Sequence, residues 1–303
     1  DCYNYLKNEK VLSIDIETTR KFYKYENEGL DPYTTKIVMF QIGTIDRQYV
    51  IDTRVVDISI LFPLLIDPSI VIVGHNLKFE YKHIAHTYGI KINNLYDTML
   101  VEQILFNGLQ HEKARVIQTD GKFKNYDGNS LEDLIYRYCE VAVFKGTRLE
   151  FLDIKDKPYT ETQINYGADD IMYPLIIRDI QLLDVEAKEV QKTLDLEFLY
   201  LPVLGDMELN GMYFSKERWT EAYDENLPIF QKAKEELNNY IIEHYRSTDF
   251  VNRQLDLFAT GFKCNISWTS PKQVIKFFRH LNICTQEVSK STHKLEYTVN
   301  AKV

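Results

Sequence analysis

Residues 13–19 read S-I-D-I-E-T-T and follow directly on Val11 and Leu12. The β-branched run predicts a buried strand, in which successive side chains point to opposite faces. Asp15 and Glu17 therefore share one face, and Ile14 and Ile16 the other. Neighbouring carboxylates repel one another and resist burial unless a cation sits between them. The D-x-E spacing recurs at Asp184, Asp195 and Asp206, but in helix-like sequence, where residues i and i+2 do not face each other. The first stretch thus suggests a metal site at a strand end; the plain alternative is a solvated strand end.

Outward from it, strand and helix signals alternate. K-I-V-M-F-Q-I-G-T-I (36–45) and Q-Y-V-I-D (48–52) complete an antiparallel meander. I-S-I-L-F-P-L-L-I (58–66) predicts a short helix, and I-V-I-V-G-H-N (70–76) an apolar strand ending in a turn. K-F-E-Y-K-H-I-A-H-T-Y (78–88) predicts a helix stopped at Gly89. N-L-Y-D-T (94–98) is a short strand and M-L-V-E-Q-I-L-F (99–106) a helix. Residues 107–129 are polar, with Lys113, Arg115, Lys122 and Lys124 beside Phe123 and Tyr126. That composition suits phosphate contact and base stacking or, equally, a solvated loop.

S-L-E-D-L-I-Y-R-Y (130–138) restarts helix, and Thr160 with Gln163 forms a capping box before an amphipathic stretch running to about 190. From about 191 the strand signals fade. Residues 194–208 and 215–245 are helical in period, and T-S-P-K-Q (269–273) starts a helix with Pro271 at its first position. A domain boundary is expected near 190.

The chain has 303 residues, 45% of them hydrophobic, enough for one large or two ordinary globular domains. No apolar run is long enough to span a membrane, and no secretory signal opens the chain. Cys2, Cys139, Cys264 and Cys284 have no paired spacing, which points to neither a zinc site nor a disulfide framework and fits a reducing compartment. A net charge of -9 argues against a protein that coats nucleic acid, though not against an enzyme with an acidic centre.

Further acids fall where α/β folds place their sites. Glu80 follows G-H-N at a strand end, and Tyr166 and Asp170 share a helix face at i and i+4. Hard oxygen ligands gathered from several elements can hold two divalent ions about 4 Å apart. Each residue has a bland reading: Glu80 as a helix-start acid, Tyr166 as a half-buried aromatic, Asp169–Asp170 as a surface pair. Their shared order and context favour a site.

I-D-I-E-T (14–18), G-H-N-L-K-F-E (74–80) and Y-G-A-D-D (166–170) resemble the three motifs of the DnaQ-like 3′–5′ exonucleases. The resemblance is closest to the proofreading domain of family A, DNA polymerase I-type enzymes. Tyr166 four residues before the last acid marks the DEDDy subclass; the DEDDh subclass has His where this chain has Asn165. Y-D-T-M-L (96–100) resembles the family's segment after the second motif. L-P-V-L-G-D-M-E-L-N-G-M-Y-F (201–214) and N-I-S-W-T-S-P-K-Q-V (265–274) resemble the start of the polymerase region and its thumb.

The resemblance implies an α/β, RNase H-like mixed β-sheet flanked by helices over 1–190. A mainly α-helical, incomplete polymerase segment would follow over 191–303. It implies removal of 3′-terminal nucleotides from DNA, as proofreading, with two divalent ions, Mg²⁺ or Mn²⁺. Asp15, Glu17 and Asp170 would hold the first ion, Asp15 and Glu80 the second. Tyr166 and Glu17 would position the attacking water, and Thr18, Asn76 and Phe79 would contact the terminal nucleotide. Phe151 is the one candidate for the family's second wedge residue. The partners implied are a single-stranded 3′ end or primer–template and the rest of a polymerase, with no membrane, in a cytoplasm (a host's if the gene is a phage's).

Glu80 departs from the family's Asp at that position. Two rivals follow: a ribonuclease D-like RNA exonuclease, and an inactive exonuclease-like domain that only binds DNA or braces a polymerase.

Overall fold

The computed structural model describes residues 1–20, 29–107, 115–117, 123–126, 128–143, 148–152, 154, 156–255, 260–283, 285–288 and 295–298. A short helix α1 (Cys2–Leu6) leads into β1 (Val11–Arg20), β2 (Thr35–Gly43) and β3 (Gln48–Asp52). A 3₁₀ turn at Ser59–Leu61 runs into α2 (Phe62–Ile66), followed by β4 (Val71–Gly74), α3 (Lys78–Tyr88), β5 (Leu95–Asp97) and α4 (Thr98–Leu105). The small hairpin β6 (Arg115–Ile117) and β7 (Phe123–Asn125) precedes α5 (Leu131–Cys139), α6 (Arg148–Phe151), α7 (Glu161–Ala187) and α8 (Gln191–Asn210).

The main sheet has the order β3-β2-β1-β4-β5. β1, β2 and β3 are antiparallel neighbours, as the meander predicts, while β4 pairs parallel to β1 and β5 parallel to β4. This is the expected mixed sheet flanked by helices. On one face Ile14, Ile16, Phe40, Ile42 and Ile72 pack with Leu64, Leu65, Leu77, Tyr81 and Ile84 of α2 and α3. The other face carries Asp15 and Glu17 and is crossed by α7, which contacts β1, β2, β3 and β4.

Local signals act where the sequence places them. Thr160 and Gln163 form the reciprocal capping box of α7. Gly89 ends α3 at φ 70°, a left-handed cap that a side chain would strain. The other three D-x-E pairs lie on α7 and α8. The buried Glu102 of α4 ties α5 and α7 together: it bonds Arg137, accepts from Tyr138 Oη at 2.7 Å and from Gln181 Nε2 at 2.8 Å. Satisfied on three sides, this charge fixes the position of α7 over the sheet.

The chain divides into two compact units, residues 1–212 and 213–303. The expected boundary near 190 falls inside the first, because α8 packs on α3. Tyr81 Oη donates to Asp206 at 2.9 Å, and Lys78 and Lys82 both reach Glu208, at 2.7 and 2.6 Å. Gly205 makes the close approach possible, since a Cβ there would stand 2.6 Å from the Tyr81 ring. The helical period at 194–208 showed a helix but not where it docks.

The second unit holds α9 (Lys216–His244), the hairpin β8 (Val251–Leu255) and β9 (Thr260–Cys264), α10 (Pro271–His280), and the hairpin β10 (Thr285–Val288) and β11 (Leu295–Thr298). Ile241, Phe250, Val251, Ile266 and Phe277 form its core. Pro271 opens α10 as read from the sequence. The two hairpins correct the expectation that strand signals end near 191. They are short, isolated pairs whose residues, such as V-N-R-Q-L, give little alternation to detect. Among the described residues no helix is long and apolar enough to cross a membrane, and Cys2, Cys139 and Cys264 are free.

Candidate active site

β1 carries Asp15 and Glu17 to the sheet face beneath α7, which supplies Asp170. One carboxylate oxygen from each of Asp15, Glu17 and Asp170 lies within 4.8 Å of the others. Three acids so close favour a divalent cation, which fits an all-oxygen donor set.

Glu80 joins through Asp15. It lies in the first turn of α3 and is 3% exposed. Burial pushes its carboxyl well above the usual carboxylate range, and the adjacent Asp15 charge and a hydrogen bond to the Asp15 side chain add to this. The second oxygen, Oε2, is buried without a partner. The acidic arrangement and this orphaned oxygen both fit a site completed by positive charge.

Tyr166 stands one helical turn before Asp170. Burial raises its hydroxyl pKa far above the ordinary value, with further pressure from Asp170, Glu17 and Asp15 and a hydrogen bond to Asp170. The hydroxyl therefore faces all three acids and keeps its proton. A cleft of ≈ 440 Å³ opens beside it, between Ile135, Val141–Val143 and the face of α7 bearing Thr162, Asn165, Tyr166, Asp169, Asp170 and Tyr173.

The turn after β4 is held by a residue to which the sequence reading gave no role. Asp97 is buried and accepts from the backbone N–H of Asn76, Leu77 and Met99, each at 2.9 Å, and of Leu100 at 3.3 Å. It caps α4 and at the same time aims the Gly74–Leu77 turn that starts α3. Burial still raises its carboxyl despite these four donors. An Asp immediately before a helical run in Y-D-T-M-L is the signal that could have marked it. Asn76 takes φ 65° in this turn and is exposed, while Phe79 is half-buried against the His83 ring, 4.1 Å between centroids.

Three side chains that the sequence singles out are engaged within the fold. The Thr18 hydroxyl donates to Gly29 O at 2.9 Å, beside the register shift between Glu17 and Thr18. Phe151 is fully buried with Val38, Met39 and Ile154, so it is core and not a wedge. Tyr126 is buried and stacked on Tyr136 at 4.1 Å, which removes it from base stacking; its ring gains more from the α5 surface than from water. Lys113 and Lys122 lie outside the described residues, and Arg115 and Lys124 are described only as strand backbone in β6 and β7.

A central strand bearing D-x-E, a facing helix bearing Y-x-x-x-D and a mixed five-stranded sheet define an RNase H-like exonuclease fold. NrnC of Brucella melitensis has this fold at TM-score 0.54 and 20% identity, over 67% of this chain and 87% of that one. RNase D of Escherichia coli shares it at TM-score 0.52 and 19% identity, over 67% of this chain and 47% of that one. Residues 1–185 match the 3′–5′ exonuclease family, and the chain belongs to it.

Curated relatives include human exosome complex component 10, 25% identical over 76% of this chain and 23% of its own length. DNA polymerase I of Aquifex aeolicus is 24% identical over 87% of this chain and 42% of its own length. The chain thus spans less than half the length of either.

Proposed function

We propose that the first unit is a metal-dependent 3′–5′ exonuclease acting on DNA, the proofreading part of a DNA polymerase I-type enzyme. The observation that carries this is the convergence of Asp15, Glu17 and Asp170 within 4.8 Å, with Tyr166 bonded to Asp170 and Glu80 to Asp15. Mg²⁺ or Mn²⁺, two ions in this reading, would supply the Lewis-acid charge for phosphodiester hydrolysis. Asp15, Glu17 and Asp170 would hold one ion, and Asp15 with Glu80 would hold the other.

Tyr166, protonated throughout, orients the attacking water as a hydrogen-bond donor, and Glu17 accepts from the same water. Asn76 and Phe79 contact the terminal nucleotide from the turn that Asp97 fixes. Thr18, whose hydroxyl donates to Gly29 O, would contact the same nucleotide from β1. The cleft beside Tyr166 has the volume of a small-ligand site and leads the strand to the carboxylates.

DNA is favoured because the Aquifex polymerase match covers 87% of the chain, well beyond the 1–185 family match. A ribonuclease D-like role is the second reading, supported by the exosome component 10 matches and by ribonuclease D of Bartonella henselae, 23% identical over 59% of this chain.

The test is digestion of 5′-labelled single-stranded DNA and RNA of one sequence, with Mg²⁺, Mn²⁺ or a chelator. Metal-dependent shortening of the DNA supports the first reading, and a strong preference for RNA the second. If neither strand is cut, the domain is one that binds without hydrolysing.

A further inference from the structure

The register of the central strands sets Gln41 of β2 directly opposite Asp15 of β1. Residues opposite one another in an antiparallel pair project to the same face, so Gln41 lies on the α7 side, beside the catalytic carboxylates. α7 rests on it. A Cβ built at Gly167 would stand 2.9 Å from Gln41 Nε2, and Gly167 lies between Tyr166 and Asp170. The Gln41 side chain thus fills the space between Asp15 and the turn of α7 that carries the tyrosine and the third acid.

It does so without a single hydrogen bond. Gln41 is 0% exposed, and neither Nε2 nor Oε1 has a partner. Two further buried atoms lack a partner: Ser13 Oγ, two residues before Asp15 on the same strand face, and Glu80 Oε2. Burying an amide unpartnered is worse for stability than burying an apolar side chain of the same shape, and Met would fill this volume. Packing therefore does not account for a glutamine here, whereas a neighbouring carboxylate that must carry charge does.

We propose that Gln41 is a positioning residue: its amide is the donor that holds the Asp15 carboxylate in place for a divalent cation. Gln41 Nε2 is a buried neutral donor on the same sheet face as Asp15, and it adds no charge that would compete with the cation. Outer partners of this kind orient metal-binding carboxylates, and their loss weakens metal binding by roughly 10- to 100-fold. The inference rests on reading the cluster as a cation site.

The test compares the unaltered chain with Gln41→Met by Mn²⁺ titration calorimetry, by melting without metal, and by kcat and KM on labelled DNA. The expected result is an unchanged or raised melting temperature without metal, Mn²⁺ affinity lower by roughly 10-fold or more, and kcat reduced at constant KM. Unchanged Mn²⁺ affinity overturns the proposal. So does a lowered melting temperature, or failure to fold, because the amide would then be structural. If the unaltered chain itself binds no Mn²⁺, the cation-site reading falls first; if it binds and Gln41→Met binds equally, only the role of Gln41 falls.

Discussion

The buried carboxyl of Glu80 stands against the side chain of Asp15, bringing the first turn of α3 to the central strand. Glu80 therefore lies beside Asp15, although the acids that meet within 4.8 Å are Asp15, Glu17 and Asp170. Glu80→Gln keeps a donor toward Asp15, so the fold should persist, but it cannot supply negative charge to a cation. Its exonuclease rate should drop roughly 100-fold. Glu80→Asp should retain or raise activity. Rates of the three forms across Mg²⁺ and Mn²⁺ titrations, with melting curves as controls, decide it; equal rates for Glu80→Gln at every metal concentration would show that Glu80 holds no ion.

Asp15→Ala and Asp170→Ala each remove one of three carboxylates that meet within 4.8 Å. Each should lower single-stranded DNA digestion by roughly 1,000-fold or more. Tyr166→Phe keeps the ring beside Phe151 and loses only the hydroxyl that bonds Asp170. Its loss should be smaller, roughly 100-fold at most, and should appear in kcat rather than KM. Undiminished digestion by Asp15→Ala would falsify the site.

Much of this site was legible because local rules govern it. Strand alternation alone puts Asp15 and Glu17 on one face, helix spacing puts Tyr166 beside Asp170, and capping chemistry marks the start of α7. What stayed hidden depends on tertiary neighbours. Gln41 looks like any strand residue until its register with Asp15 is known, and Asp97 looks like a simple cap until Asn76 and Leu77 are seen to donate to it. Phe151 illustrates the reverse: a wedge role carried over without a motif yields to burial among Val38, Met39 and Ile154.

His83 should make the first unit lose stability in acid. Its Nδ1 donates to Phe79 O at 2.9 Å, its Nε2 lies 3.1 Å from the Thr35 hydroxyl, and burial lowers its pKa to about 4. The folded value lies below that of a free histidine, about 6.5, so the unfolded chain takes up the proton first. The stabilisation is complete above the unfolded pKa and is lost as pH falls toward the folded one. Between pH 7 and pH 5 this amounts to about 2 kcal/mol. Denaturant melts over that range should show a shallower acid loss for His83→Gln than for the unaltered chain; identical slopes would mean that His83 carries none of it.

The first unit should need α8 in order to fold. A chain ending at Val190 matches the boundary suggested by sequence, and a chain ending at Met212 the boundary found in the structure. The shorter one loses the buried Leu194 and Leu201, together with the Tyr81–Asp206 bond and the lysine contacts to Glu208. Exposed ion pairs contribute little, so the apolar loss dominates, at about 3–6 kcal/mol for two leucines. The same truncation exposes the Tyr81 side of α3, one residue from Glu80, and should loosen the carboxyl that faces Asp15. The chain ending at Met212 should melt cooperatively and retain metal-dependent digestion of single-stranded DNA. The chain ending at Val190 should melt at lower temperature, or fail to fold, and lose most of that activity. Equal melting temperatures and rates for the two would show that α8 is an appendage, and would return the boundary to 190.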